Sequence, residues 1–280
     1  MEDAMTLVGL PALVAGVVAI GATLAIERWG GRIGGLLGSM PTTIVPASLG
    51  IWAASPDVSA FSAGMAGVPA GMLVDALFLW CWRVLPTRIE GPSLASTLGR
   101  VAAAALTVWF LGATAMVLGF QALAEAGVAP LISGILTLLL LITAGIAACR
   151  GAPPSPAGSR RVGLVEVLGR GALAALAIGV CVQIAAAGSP LVAGVASVFP
   201  AIFLTTMVSL WWAQGSAVPV GAVGPIMLGS SSVGAYALIS VATFPAFGPA
   251  LGVPTAWLAA VLLTSLPAWT WLQKQSAETP

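Results

Sequence analysis

Histidine is absent from this chain of 280 residues, and charged side chains are scarce: ten Lys and Arg, nine Asp and Glu. Charged residues make up 7% of the chain, against about 25% in ordinary soluble domains. A soluble globular domain is therefore excluded. Without histidine the chain lacks the commonest metal ligand and the commonest general base, and a net charge of +1 offers no basic surface for nucleic acid. We expect no metal, no cofactor and no nucleic-acid partner.

Cysteine is also sparse. Cys81, Cys149 and Cys181 have no CxxC spacing and lie in or at the ends of apolar segments, so we interpret them as small buried hydrophobic residues. The first seven residues contain Glu2 and Asp3 but no basic residue, whereas a cleavable signal peptide begins with a positively charged segment. We therefore expect the first helix to remain in the protein.

Apolar sequence is abundant: 59% of the residues are hydrophobic, and the mean hydropathy is +1.06. Apolar runs of about 20 residues recur along the chain, and each is long enough to cross a hydrocarbon core of about 30 Å. The composition predicts an all-α, polytopic membrane helix bundle whose solvent is the lipid bilayer. Nine transmembrane helices are predicted, at 5–27, 33–54, 58–82, 99–122, 127–149, 168–187, 190–213, 216–242 and 250–272.

The basic residues favour one orientation of this bundle. All ten lie around the junctions that follow the first, third, fifth and ninth predicted helices, on one side of the membrane. Because basic loops stay in the cytoplasm, the N-terminus is expected outside and the C-terminus inside. The chain has no asparagine and a single lysine, Lys274, which is typical of a GC-rich bacterial genome. The expected location is the inner membrane.

An internal repeat relates the two parts of the chain. With a shift of 159 residues, 34–54 resembles 191–213, and helices one and three overlie helices six and eight. The identical pairs are Gly35 with Gly194, Pro41 with Pro200, Trp52 with Trp211, Ala54 with Ala213, Ala76 with Ala235 and Leu79 with Leu238. We predict two four-helix halves, 1–122 and 168–280, joined by a connector, 123–167, that holds helix five and a Pro-rich loop.

The odd number of helices before the second copy inverts that copy relative to the first. Halves related by a pseudo-two-fold axis in the membrane plane are typical of secondary transporters, since such halves can exchange inward-facing and outward-facing conformations around one central site. The expected partners are the lipid bilayer and a small solute or ion. A homodimer is left open.

Prolines and threonines mark the second helix of each half. A proline inside a helix frees a carbonyl group, which in lipid must be satisfied by a neighbour or line a wet cavity. The candidate residues for a midplane site are Pro41, Thr42, Thr43, Pro200, Thr205 and Thr206. The alternative is that these hydroxyls bond back to their own helix, as they commonly do in membranes.

The third helix carries an acid well inside the membrane. Gly67, Gly71 and Asp75 follow each other at intervals of four and lie on one helical stripe, which the glycines open to a neighbouring backbone. Asp75 is then expected to face protein, about 12 Å from the helix end marked by Arg83. A lone carboxylate at this depth is costly, so it should bind a cation or carry a proton. The alternative is a protonated Asp75 that serves only helix packing.

Further candidates are uncharged. Ser230 and Ser231 in the eighth helix and Gln183 in the sixth add polar groups at membrane depth, although a small-residue packing face explains the serines nearly as well. Helix breaks are expected at Gly67, Gly71 and Pro225, where glycine and proline interrupt the third and eighth helices.

The segment AGVASVFPAIFLTTMVSLWWAQG (193–215), followed by GSSSVGAYAL (229–238), resembles the GlpM family of small four-helix membrane proteins. The resemblance rests mainly on the Ala-Gly-x5-Phe-Pro core at 193–200; the first half has Met40 in place of the phenylalanine. The chain would then be an inverted duplication of such a unit, and the resemblance implies a role in the envelope or in exopolysaccharide production. The halved architecture is also similar to TauE/SafE-type exporters, whose glycine-rich pattern is not reproduced here.

Three classes of function follow. We prefer a secondary transporter or permease for a small solute, working by alternating access and coupled to protons or cations through Asp75. The second class is a non-transporting membrane subunit of an envelope or exopolysaccharide assembly. An intramembrane enzyme is the weakest, because the chain has no histidine, no intramembrane lysine and no second buried carboxylate for an acid and base pair. We do not expect an enzyme.

Overall fold

A computed structural model gives the structure of residues 8–21, 24, 40–150 and 163–278. These residues form helices joined by short turns, with no β-strand among them, so the all-helical prediction is confirmed. The helices are α1 (Val8–Gly21), α2 (Ile44–Ala54), α3 (Val58–Val84), α4 (Leu94–Glu125), α5 (Pro130–Cys149), α6 (Leu164–Ala186), α7 (Pro190–Ala196), α8 (Ala201–Gln214), α9 (Ala217–Ala260) and α10 (Leu266–Glu278). A π-helical turn, Val261–Ser265, joins α9 to α10.

Within the described residues, six helical segments are long and apolar enough to cross a membrane. They are Val58–Thr87, Leu94–Glu125, Pro130–Cys149, Val167–Ala186, Pro190–Trp212 and Val220–Gln275, with α1 and α2 as shorter apolar helices. This architecture fits a membrane-embedded bundle, and nine crossings stay a prediction. Parts of the predicted helices 5–27 and 33–54, and most of the Pro-rich loop 150–161, lie outside the described residues.

The central helix, α3, runs for 27 residues without interruption. Asp57 caps its N-terminus, since its side chain accepts a hydrogen bond from a backbone N–H of the first turn at 2.8 Å. The breaks expected at Gly67 and Gly71 are wrong, as is the break expected at Pro225 within α9. A single proline, such as Pro69 in α3, removes one backbone hydrogen bond, and a helix packed against several neighbours tolerates that loss.

The predicted helix 190–213 is in two pieces, α7 and α8, separated by residues 197–200. Pro200 ends this break as the N-cap residue of α8. Because proline has no backbone N–H, it cannot donate a hydrogen bond to the preceding turn, so α7 does not continue through it. Ser197 begins it and donates its hydroxyl to the carbonyl oxygen of Gly194 at 2.7 Å. We call residues 197–200 the α7–α8 break; it interrupts an apolar segment of 23 residues.

Gly248 divides α9 into two arms. Its φ of 68° and ψ of 165° lie in a region open to glycine. The Thr243 hydroxyl donates to the carbonyl oxygen of Gly252 at 3.1 Å, whereas a straight helix would hold residues nine apart at about 13 Å. The chain therefore folds back at Gly248, near the junction predicted between helices 216–242 and 250–272.

The most extensive helix contact joins α3 and α9, which run antiparallel. Phe61, near the start of α3, stacks on Phe244 of α9 with ring centroids 5.1 Å apart. Further along α3, Pro69 lies against Gly234, where an added Cβ would be 3.5 Å from the Cβ of Pro69. The connector helix α5 packs along both α3 and α9, so the core lies where these three helices meet.

α1 and α6 form a second antiparallel pair, held together by small residues. Ala12 lies beside Gly179, whose added Cβ would be 3.6 Å from the Cβ of Ala12. Gly16 lies one turn after Ala12 on α1, and Ala175 lies one turn before Gly179 on α6. A Cβ on Gly16 would be 3.4 Å from the Cβ of Ala175 and 3.1 Å from the carbonyl oxygen of Gly171. The two backbones therefore approach closely here, and small residues allow this close approach.

Candidate functional site

The glycine stripe of α3 lies directly against α7. A Cβ added to Gly67 or to Gly71 would come within 2.9 Å or 2.8 Å of a carbonyl oxygen of α7. From the other side, a Cβ on Gly194 of α7 would overlap the carbonyl oxygen of Gly64. Any larger side chain at these positions would push the helices apart. The prediction that this stripe admits a neighbouring backbone is confirmed.

Asp75 lies one turn beyond Gly71 on the same stripe and is 1% exposed. Its carboxyl oxygen Oδ1 accepts a hydrogen bond at 2.7 Å from the indole Nε1–H of Trp109, a residue of α4 that is itself 4% exposed. Asp75 therefore faces the protein interior, as its helical position predicts. In this conformation the carboxyl is closed off from solvent.

Trp109 also contacts the α7–α8 break. Its ring meets Phe199 edge to face, with centroids 5.1 Å apart, and Val198 of the same break packs against Gly71. The acid, its hydrogen-bond donor and the break are thus parts of one packed group, in which Asp75 and Trp109 are buried and Val198 and Phe199 are partly buried. We call it the Asp75 cluster, and its members are Gly71, Asp75, Trp109, Val198 and Phe199.

The predicted residues of α8 lie at or beyond the edge of this cluster. Pro200 follows Phe199 directly and ends the α7–α8 break. Thr205 donates its hydroxyl to the carbonyl oxygens of Ala201 and Ile202, at 3.0 Å each, so it bonds back to its own helix. Thr206 is half-buried on the same helix.

The serines of α9 are buried but serve their own helix. Ser230 donates to the carbonyl oxygen of Met227 and Ser231 to that of Leu228, both at 2.7 Å. The hydrogen bond on Asp75 therefore comes from α4 and not from these serines.

The remaining candidates lie on other elements. Pro41 is buried and Thr42 and Thr43 are half-buried ahead of α2, and the Thr43 side chain does not cap that helix. Gln183 is exposed on α6, on a shallow and largely apolar groove that α6 shares with Val8 of α1. The predicted residues therefore do not form a single constellation, and Asp75 with the α7–α8 break is the part that the structure brings together.

Sequence reasoning misses the partner of Asp75. Trp109 is the one tryptophan of ten placed at mid-helix, away from the ends where tryptophans anchor at the interface, and this position is the available signal. The single tyrosine is missed as well: Tyr236 shares a hydrogen bond of 2.8 Å with Ser48 and ties α9 to α2. Buried tryptophan and tyrosine need such partners for their polar atoms.

Compared with models of protein families, with curated proteins and with solved structures, the chain matches none. The resemblance of 193–215 to the GlpM family stays a prediction. Among residues 8–21, 24, 40–150 and 163–278, no three histidine, cysteine, aspartate or glutamate side chains are grouped as metal ligands.

Proposed function

We propose that the protein is a secondary transporter or permease for a small solute, working by alternating access with Asp75 as its coupling residue. The observation that carries this proposal is the Asp75 cluster, in which a buried carboxyl lies beside a break in an apolar helix. Intramembrane acids are costly and mark ion or substrate pathways by default. Broken helices near the midplane form the binding sites of many transporters.

Helix contacts support the inverted halves that this mechanism needs. Under the shift of 159 residues, α1 corresponds to α6 and α3 to α9, and both pairs run antiparallel. Gly16 and Ala175, which meet, are 159 residues apart. In the other pair, Pro69 meets Gly234. Because the helices are antiparallel, three residues further along α3 correspond to three residues earlier on α9. This register places Met72 beside Ser231, and these residues are also 159 apart. Where a residue meets its own counterpart, the pair lies at the two-fold axis that relates the two halves. That axis is perpendicular to the two antiparallel helices. Because membrane-spanning helices run across the bilayer, an axis perpendicular to them lies in the membrane plane.

Two further correspondences agree with this arrangement. α3 begins at Val58 and α9 at Ala217, 159 residues apart. The matched tryptophans each contact the opposite half, since Trp52 packs on Phe244 of α9 and Trp211 on Trp82 of α3. Nine crossings result when α7 and α8 count as one broken crossing and the arms of α9 as two.

A second function is favoured by the packing of the interior. Asp75 is closed off, and the hydroxyls of Ser230 and Ser231 are used within α9. A buried acid and serines bonded within their own helix also suit a non-transporting membrane subunit of an envelope or exopolysaccharide assembly, the role that the GlpM resemblance implies. In that case Asp75 would only fasten α3 to α4.

Asp75→Asn separates these two functions, because it removes the titratable group while keeping an oxygen acceptor for Trp109. Purified wild type and variant are reconstituted in proteoliposomes and offered a panel of neutral polar solutes and small cations under an imposed pH gradient. We expect the wild type to accumulate at least one solute and Asp75→Asn to lose gradient-driven accumulation, because a neutral amide exchanges no ion.

Asp57→Asn is the matched control, since it makes the same chemical change at the exposed N-terminal cap of the same helix. It should accumulate solute as the wild type does. Undiminished gradient-driven uptake by Asp75→Asn would contradict coupling through Asp75. A folded wild type that moves no solute of the panel would favour the non-transporting subunit.

A further inference from the structure

The surroundings of the Asp75 carboxyl indicate which ion it takes. We propose that Asp75 is a binding site for a proton and not for a metal cation, and that Trp109 is its positioning residue. The link between this proton and solute movement rests on the function proposed above. One proton is bound and later released at the carboxyl, and no other bond changes.

The direction of the Trp109 hydrogen bond is the first reason. Nε1 lies 2.7 Å from Oδ1, so an N–H hydrogen with positive partial charge occupies the space in front of that oxygen. A metal cation on Oδ1 would face this hydrogen and be repelled. A proton on the other carboxyl oxygen leaves the bond intact, because a carboxylic acid keeps a carbonyl oxygen that accepts from a donor.

The apolar character of the cluster is the second reason. Hard metal cations take about six oxygen ligands. The neighbours that the α7–α8 break brings to this cluster are hydrocarbon: Val198 packs against Gly71, one turn from Asp75, and Phe199 packs against the ring of Trp109. The α4 group that meets the carboxyl is itself an indole. A proton needs no oxygen other than those of the carboxyl itself.

The titratable groups on neighbouring helices are engaged elsewhere or lie near helix ends. α2, α7 and α8 have no titratable side chain, and α5 has only its last residue, Cys149. On α9, Tyr236 shares its hydroxyl with Ser48. The others are Cys81 and Arg83 on α3 and Arg100 and Glu125 on α4; Arg83 donates to the Ala148 carbonyl oxygen at 2.6 Å and Arg100 to that of Glu90 at 2.9 Å. Trp109 is therefore the group placed to influence protonation of Asp75.

Trp109 also links protonation to conformation. Its indole is held between the Asp75 carboxyl and the ring of Phe199, which belongs to the α7–α8 break. When the break moves, the indole moves with it, and the carboxyl then loses or regains its donor. This is the coupling between ion binding and shape that alternating access requires.

Dicyclohexylcarbodiimide tests the proton site without knowledge of the solute, because this apolar reagent adds to protonated carboxyl groups. The full chain is reconstituted in phosphatidylethanolamine and phosphatidylglycerol vesicles, and the Asp75 peptide is followed by mass spectrometry over a series of pH values. We expect modification of Asp75 to fall along a single-proton titration as pH rises, and to be the same in Na⁺, K⁺ or choline. Asp75→Asn gives the background.

Protection of Asp75 by Na⁺ or K⁺ at constant pH and ionic strength would overturn the proposal in favour of a metal-cation site. Failure of Asp75 to react at every pH, in wild type and in Trp109→Phe alike, would overturn it as well. Neither result depends on transport. A proton titration in a protein that moves no solute would leave this inference standing and defeat the proposed function, whereas Na⁺ protection with active transport would do the reverse.

Trp109→Phe tests the positioning residue, because it keeps an aromatic ring beside Phe199 and removes the N–H that Asp75 accepts, although the ring is smaller than the indole. We expect the midpoint pH of Asp75 modification to move by about one unit, as the loss of a hydrogen bond to a carboxyl implies. Trp80→Phe, at an exposed site on the outer side of α3, should leave it unchanged. An unmoved midpoint in a folded Trp109→Phe variant would reduce Trp109 to a packing residue.

Discussion

The contact between α7 and α3 depends on single glycines. A Cβ at Gly194 would overlap the Gly64 carbonyl oxygen, which is backbone and cannot swing aside. We expect Gly194→Ala to lower the free energy of unfolding by about 1–3 kcal/mol, the usual cost of overpacking. The measurement is an unfolding titration in mixed micelles of dodecyl maltoside and sodium dodecyl sulfate.

Gly119→Ala is the control for this prediction. Gly119 is exposed on α4, and an added Cβ meets nothing within 4 Å. The variant should unfold as the wild type does or be more stable by up to about 1 kcal/mol, because alanine favours helix over glycine. Equal stability of both glycine variants would mean that α7 and α3 are not in close contact.

The direction in which Asp75 points could be predicted from sequence, but its partner could not. Helical periodicity is local, so the spacing from Gly71 is enough to place Asp75 on the stripe that meets protein. Trp109 is 34 residues away in sequence, and its contact with Asp75 depends on how α4 lies across α3. The spacing of residues along the sequence does not specify how two helices cross.

The antiparallel pairing of α1 and α6 makes a prediction at the scale of helices. In a background with Cys81, Cys149 and Cys181 replaced by alanine, Gly16→Cys with Ala175→Cys should form a disulfide on mild oxidation. The Cβ separation of 3.4 Å at this pair is close to the 3.5–4.5 Å typical of disulfides, about 3.8 Å on average. Cross-linking is read as a mobility shift that a reductant reverses.

Gly9→Cys with Gly171→Cys is the control pair. Gly9 lies near the start of α1, and Gly171 packs against Ile20 and Gly16 near the other end of that helix. Parallel helices would bring Gly9 towards Gly171 and join this pair instead. Cross-linking of the control without the first pair would reverse the relative direction of α1 and α6 and remove a main support for inverted halves.

The presence of a proline does not by itself predict a helix break. Pro200 does end the α7–α8 break, whereas Pro69 and Pro225 lie inside continuous helices. The difference lies in the surroundings. α3 is packed against α4, α5, α7 and α9, and such support holds a helix together across one missing hydrogen bond. A sequence shows the proline but not the neighbours that compensate for it.

For the molecule as a whole, the basic residues make a prediction about orientation. We expect the turn after α4 to face outside and the turn after α3 to face the cytoplasm. In the cysteine-free background, Ala126→Cys should react with a membrane-impermeant maleimide on intact cells. Thr87→Cys, also exposed in the structure, should react only after the membrane is permeabilised.

Ala187→Cys, in the exposed turn before α7, provides a second outside position for the same measurement. Agreement of Ala126→Cys and Ala187→Cys is required of any topology in which α5 and α6 each cross once. Reaction of Thr87→Cys on intact cells, with Ala126→Cys protected, would place the N-terminus in the cytoplasm instead.

Hydropathy predicts an apolar helical protein, but it does not decide the number of crossings. The fold-back at Gly248 lies within one long apolar segment, Val220–Gln275, and the α7–α8 break divides another. Hydropathy measures the length and polarity of a segment, whereas a turn inside the bilayer depends on one residue's backbone and on what packs beside it. The proposed repeat of 159 residues would add the missing information, because it would relate each segment to a counterpart.

If the two halves are the inverted copies proposed above, the position of α5 between them has a consequence for how such a chain could arise. Four helices are an even number, so direct fusion of two copies would insert both in the same orientation. One added crossing turns the second copy over. A single unmatched helix, packed against both α3 and α9, would thus let one gene encode both orientations of the four-helix unit. A protein made of one such unit would have to insert in both orientations and form a dimer from two oppositely oriented copies.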